Sequence, residues 1–203
     1  MQMLEAQPKI LLLPSNFYTS KTLVKLTLSC SALVVDVPSL ACFPLLQMLT
    51  LLNVVFKDQN SHVRLLANCP ALIYLRVNRK RGDNVTAFIV KVPSLKSFKY
   101  TDFHERYSAM PLVLDSPGLR HLSIIDHGDL GLIQNMPHLQ TAYVGHFVTQ
   151  PNDKFLRSFS SVRNLHLNLM NVVACFSAIN FFRLMEFKLQ FVVPANADLI
   201  PAM

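Results

Sequence analysis

One frame, L-x-x-L-x-L, returns eight times along this chain of 203 residues. It fits at Leu23-Leu26-Leu28, Leu46-Leu49-Leu51, Leu72-Leu75-Val77 and Leu95-Phe98-Tyr100. It fits again at Leu119-Leu122-Ile124, Leu139-Ala142-Val144, Val162-Leu165-Leu167 and Leu184-Phe187-Leu189. Successive starts are 23, 26, 23, 24, 20, 23 and 22 residues apart. All 24 frame positions are apolar, counting Tyr100 and Ala142, in a chain that is 51% hydrophobic. Most of the interleaved positions are polar, as in Lys25-Thr27-Ser29 and Asn164-His166-Asn168. Such alternation is that of a strand with one face in a core and one in water.

A spacing of 20 to 29 residues between such strands is that of leucine-rich repeats. The expected fold is therefore α/β: a solenoid with a parallel inner sheet and mixed short helices and strands on its convex side. Residues 1–203 are read as a single domain of about eight repeats. Pro44, Pro70, Pro93, Pro117 and Pro137 each stand two residues before a frame start. Proline has no amide to give a central strand, so these mark the turns entering the sheet.

The return segments differ. Ser61–Cys69 reads as a short helix capped by Ser61, with Val63, Leu66 and Ala67 on its inward face. Residues 152–162 and 174–182 read similarly, the first with Phe155, Leu156 and Phe159 turned inward. Phe88, Val90, Val92 and then Leu112, Leu114 alternate with period two and predict outer strands. The basic run Arg79-Lys80-Arg81 reads as a charged loop leaving the third inner strand and turning through Gly82-Asp83-Asn84. No asparagine occupies the ninth frame position in any repeat, so a buried asparagine ladder cannot tie the turns together.

The stretches "LPSNFYTSKTLVKLTLS", "VDVPSLACFPLLQMLTLLNVVFKDQNSHVRLLANCPALIYLRV", "DNVTAFIVKVPSLKSF" and "LDSPGLRHLSIIDHGDLGLIQNMPHLQTAYV" follow one another in this order. Together they resemble the repeat region of plant F-box proteins with leucine-rich repeats, a group often ending in an FBD domain. The resemblance runs from about Leu13 to Leu189. It implies a substrate-recognition subunit of a Skp-cullin-F-box ubiquitin ligase, whose repeats hold the target protein for ubiquitylation. An F-box would precede "LPSNFY" and an FBD would follow "LIPAM", and both are read as absent or truncated. A Skp adaptor is then expected as a partner only if an F-box is supplied. The alternative is an interaction or structural protein with no link to a ligase. The apolar tail "FKLQFVVPANADLIPAM" lacks the polar character of a solenoid cap and predicts self-association.

Catalysis finds little support. HExxH, GxSxG and phosphate-loop motifs are absent, so an enzyme is not expected. Neither a cofactor nor a metal is expected: Cys30, Cys42, Cys69 and Cys175 are too scattered for a zinc site and read as buried thiols of an intracellular protein, in cytoplasm or nucleus. The Asn84-Val85-Thr86 sequon has no signal peptide upstream, and no stretch approaches a membrane span. The net charge of +7 is spread along the chain. Arg76, Arg79, Lys80, Arg81, Lys96 and Lys99 form the one cluster that invites a nucleic-acid reading, but Asp83 interrupts it and no stacking aromatics are interleaved. The favoured site is the inner face of the sheet, where Tyr74, Arg76, Lys99, His121, Tyr143 and His166 would meet a protein partner.

Overall fold

The computed structural model describes residues 11–81, 83–102, 111–126, 133, 136–147, 157–169 and 180–191. Eight strands form one parallel sheet. In chain order they are β2 (Lys25–Ser29), β4 (Met48–Leu52), β6 (Tyr74–Asn78), β8 (Ser97–Asp102), β10 (His121–Asp126), β11 (Thr141–Phe147), β12 (Asn164–Leu169) and β13 (Glu186–Phe191). Each strand begins two residues after a frame start, and each neighbours the next repeat's strand, as a coil of stacked repeats requires. Leu26, Leu49, Leu75, Phe98, Leu122, Ala142, Leu165 and Phe187 are successive register partners. All but Phe187 at the sheet edge are buried. Each fully covered aliphatic or aromatic side chain in that file contributes about 1.5–3 kcal/mol of apolar burial.

The prolines act through a repeated turn. Leu46 N–H donates to Phe43 O at 3.2 Å, Leu72 to Cys69 O at 3.1 Å, and Leu95 to Val92 O at 3.1 Å. Leu119 and Leu139 do the same with Ser116 O and Met136 O, at 3.0 Å each. In every one of these four-residue turns the proline holds the second place, where its fixed φ favours the bend and its missing N–H leaves nothing unpaired. Gly118 occupies the third place of the fifth repeat's turn. A Cβ there would stand 2.6 Å from Pro93 O and 2.9 Å from Lys96 Nζ. Gly118→Ala should therefore destabilise the chain by on the order of 1–2 kcal/mol, read as a lower urea midpoint with unchanged slope.

The outer side is mixed, as predicted. β7 (Phe88–Lys91) pairs with β9 (Leu112–Asp115), and β1 (Leu11–Leu12), β3 (Leu33–Val35) and β5 (Val55–Phe56) make a second short parallel sheet. The helix α1 spans Ser61–Ala67. Its inward face is not the predicted one: Ser61, His62, Leu65 and Leu66 are buried, Val63 is half-buried and Ala67 exposed. The cap is Asn60, with Ser61 inside the helix. The reason lies in His62, whose ring stacks on Phe88 at 4.6 Å between centroids and accepts the Ile89 N–H at 3.0 Å. That bond satisfies an amide on the rim of β7 and draws the helix round by one residue. Phe159 is buried as expected, while Phe155, Leu156 and residues 174–179 lie outside the described residues. Most of the terminal tail does too, and on the last described repeat Phe182 and Met185 are about 80% exposed.

The thiols differ from expectation. Cys69 is buried, with Sγ donating to Leu65 O at 3.1 Å and burial pushing its pKa up to about 12. Cys30 is only half-buried and Cys42 is exposed, because both stand on turns outside the apolar frame. Cys175 lies outside the described residues.

Candidate functional site

The inner face is a grid whose rows the strand register fixes. Arg76, Lys99, Ser123, Tyr143, His166 and Lys188 are successive partners across β6, β8, β10, β11, β12 and β13. Two residues earlier on the same strands run Tyr74, Ser97, His121, Thr141, Asn164 and Glu186. All six sequence-predicted residues thus share one face, four in the first of these files and two in the second. Strands about 4.8 Å apart set neighbouring side chains at contact distance. Arg76, Lys99 and His121 are exposed, and Tyr74, Tyr143 and His166 are half-buried among their neighbours.

Several of these side chains are held in place. His121 Nδ1 lies 2.6 Å from Thr141 Oγ1, and His166 Nε2 lies 3.1 Å from Gln190 Oε1. Tyr143 meets His166 edge to face, with ring centroids 4.7 Å apart. Gly145 makes room for that tyrosine: a Cβ there would come within 3.2 Å of its ring. Asn164 Nδ2 donates to Glu186 Oε2 at 2.6 Å. A shallow cavity of about 260 Å³ crosses five strands here, walled by Lys99, His121, Tyr143, His166 and Lys188 with Ser123 on its floor. The small Ser123 and Thr141 create the depression, and neither was legible as a site residue because a missing side chain leaves no motif.

The charge of the face is one-sided. In these two files Arg76, Lys99 and Lys188 stand against the single carboxylate Glu186. Among the described residues, neither Arg76 nor Lys99 makes an ion pair.

The basic run is a different matter from its prediction. Arg79 is 5% exposed, Asp83 7% and Asp102 2%. Arg79 Nε donates to Asp83 Oδ2 at 2.9 Å, Nη2 bonds Asp83 Oδ1 and reaches Val85 O at 2.6 Å, and Nη1 lies 3.2 Å from Asp102 Oδ2. The guanidinium also stands 5.9 Å from the Phe88 ring centroid. Burial alone would favour the neutral guanidine, yet the bonds to Asp83 outweigh it and hold Arg79 above its ordinary pKa. Tyr100 OH donates to Asp102 Oδ2 at 3.2 Å, and burial with that carboxylate raises the phenol well above its usual range. Arg79 therefore stands in the predicted loop after β6, but its charge is buried in the core and not solvated. Lys80 is tied to Ser31 O at 2.9 Å, Arg76 and Lys99 belong to the inner face, and Lys96 to the rim. The predicted basic cluster is spread over separate surfaces. The signal was present: Arg79, Asp102 and Asp126 are each the eighth residue of their frame, and all three are buried. They stand at or just past the ends of the inner strands, one residue before the position where an asparagine would serve.

His62 is equally internal. Burial lowers its pKa to about 4, helped by the nearby Arg79. Its Nε2 is an acceptor in the core, so it offers no base to a substrate. Among the described residues no cluster of three or more His, Cys, Asp or Glu side chains could hold a metal ion.

A coiled stack of parallel strands with an open inner face defines a leucine-rich-repeat scaffold. The family model described as "FBD-associated F-box protein At5g56370, LRR repeats" matches residues 2–142. The chain belongs to this family. It is 40% identical over 194 residues to the putative F-box/FBD/LRR-repeat protein At1g22000 of Arabidopsis thaliana, covering 86% of this chain and 41% of the relative. It is 38% identical over 195 residues to the putative FBD-associated F-box protein At1g05080, covering 93% and 43%. Against the F-box/FBD/LRR-repeat protein At4g26340 it is 39% identical over 199 residues, covering 94% and 46%; both are from the same plant. The chain thus spans less than half the length of these relatives. No solved structure matches it.

Proposed function

We propose that the chain is the target-recognition module of an F-box-type ubiquitin ligase subunit, with residues 1–203 acting as one repeat domain. The target protein docks on the inner face at Tyr74, Arg76, Lys99, His121, Tyr143 and His166. One observation carries this reading: those six side chains share a single open face across β6, β8, β10, β11 and β12, part of it hollowed to hold a protruding group. Aromatic and arginine anchors in such positions supply most of the binding energy of protein interfaces. The names of the relatives place an F-box in the same family, and an F-box would bring a Skp adaptor and place the work in cytoplasm or nucleus. No helix among the described residues is long and apolar enough to cross a membrane.

Proximity labelling in plant cells tests this with three forms of the chain: unaltered, Arg76→Glu/Tyr143→Ala, and the outer-strand control Lys91→Glu. A set of proteins marked by the first and third but lost from the second is expected, and those proteins should carry fewer ubiquitin chains when the inner-face variant replaces the natural form. With an isolated target, Tyr143→Ala should weaken binding by about 2 kcal/mol, roughly thirtyfold in Kd. An identical set for all three forms rules the inner face out.

A further inference from the structure

A second site lies on the rim where the chain enters the inner strands. The residue after each frame start forms a file there, because its carbonyl accepts both N–H groups that open the next strand. Gln140 and Thr141 donate to Arg120 O at 2.8 and 3.1 Å, and Arg163 and Asn164 to Gln140 O at the same distances. Met185 and Glu186 donate to Arg163 O at 2.7 and 3.0 Å. These bonds fix the backbone and leave the side chains in water. Arg120, Arg163 and Arg183, with His138, Gln140 and Ser161, wall a cavity of about 170 Å³.

Three guanidinium groups line that cavity and no carboxylate does. Among the described residues, none of the three makes an ion pair. Like charges set round one hollow repel each other, and only an anion from outside offsets that repulsion. Guanidinium is a planar fork of donors that matches the oxygens of a phosphate two at a time. A monoester, close to doubly charged at neutral pH, complements such a cluster better than a singly charged diester. No Phe, Tyr or Trp side chain lines the cavity, and the lone His138 ring does not make the row of stacking platforms that a single-strand reader uses.

We infer that Arg120, Arg163 and Arg183 form an oxyanion site that takes a phosphate monoester. The group comes either from a small phosphorylated molecule or from a phosphorylated side chain of a partner. The inference stands apart from the inner-face reading. It also sits beside that face, since Arg120 and Arg163 directly precede His121 and Asn164.

Calorimetric titration of the full chain at fixed ionic strength tests it. The probes are inorganic phosphate, a short phosphoserine peptide, its serine and glutamate counterparts, and a single-stranded oligouridylate. Phosphate and the phosphoserine peptide should bind, and the serine and glutamate peptides should not. Arg120→Gln/Arg163→Gln should weaken binding roughly tenfold to a hundredfold. Lys21→Gln/Lys91→Gln, which removes the same charge from other exposed positions, should leave it unchanged. A peptide that binds more tightly than phosphate assigns the group to a modified protein, and equal affinities assign it to a small molecule. The inference is overturned if neither phosphate probe binds at millimolar concentration, or if the rim variant binds as well as the natural chain. It is equally overturned if oligouridylate displaces phosphate with the same dependence on both arginines, since that marks a general polyanion surface.

Discussion

Arg79→Met should destabilise the protein by about 3–5 kcal/mol, the cost of leaving a buried carboxylate without its partner. Asp83 and Asp102 are both enclosed, and the guanidinium bonds them from one position while also satisfying Val85 O. Methionine fills much of the volume and supplies none of those donors, so two carboxylates and a carbonyl lose the guanidinium together, while the neutral donors Val85 N–H and Tyr100 OH stay on Asp83 and Asp102. Urea unfolding of the variant should show the loss as a lower midpoint. Arg79→Met/Asp83→Asn/Asp102→Asn should recover a large part of it, because the uncompensated charge is then gone. Lys80→Gln, at the neighbouring residue with its exposed bond to Ser31 O, should stay within about 0.5 kcal/mol of the natural chain. If Arg79→Met were as mild as Lys80→Gln, the basic run would be the solvated loop that its sequence suggests.

Acid should weaken the fold as pH falls from about 6.5 towards 4. The folded pKa of His62 is depressed to about 4 from an ordinary 6.5, chiefly by burial. The unfolded chain therefore binds the proton at a pH where the folded one does not. The contribution of His62 is complete above about pH 6.5 and falls by about 1.4 kcal/mol per pH unit as pH drops towards 4, roughly 3 kcal/mol in all. A protonated ring would lose its bond from Ile89 N–H and set a cation in the core near Arg79. Asp58, held down at about 2 by its bonds with Arg64, acts only below about pH 4 and leaves this window clear. His62→Gln keeps an acceptor for Ile89 but cannot titrate, so its stability should stay flat between pH 6.5 and 4.5. An equally steep decline in that variant would show that another group drives the acid loss.

The eight strands were legible because each frame leucine obeys two constraints at once, alternation within a strand and stacking on the next repeat. Pro70 and Pro93 could be placed for a similar reason, since the missing amide permits them only in a turn. Long-range partners were not legible. Arg79 looks like a loop charge until β8 brings Asp102 beside it, and His62 looks solvated until Phe88 covers it. The six inner-face residues followed from strand parity alone. The rim arginines Arg120, Arg163 and Arg183 escaped because they are 43 and 20 residues apart and belong to no motif. Only the turn geometry of successive repeats gathers them.

Engineered disulfides test the register of the stack most directly. In a Cys42→Ser background, Ser97→Cys/His121→Cys places thiols on direct partners of β8 and β10. Their Cα atoms stand about 4.8 Å apart, inside the range that a disulfide spans. Ser97→Cys/Ser123→Cys shifts one thiol by two residues to about 8 Å, beyond reach without backbone movement. Mild oxidation should close the first pair and leave the second as free thiols by mass spectrometry. Closure of the second pair in preference to the first would contradict the stacked register, and with it the single inner face on which the proposed target recognition rests.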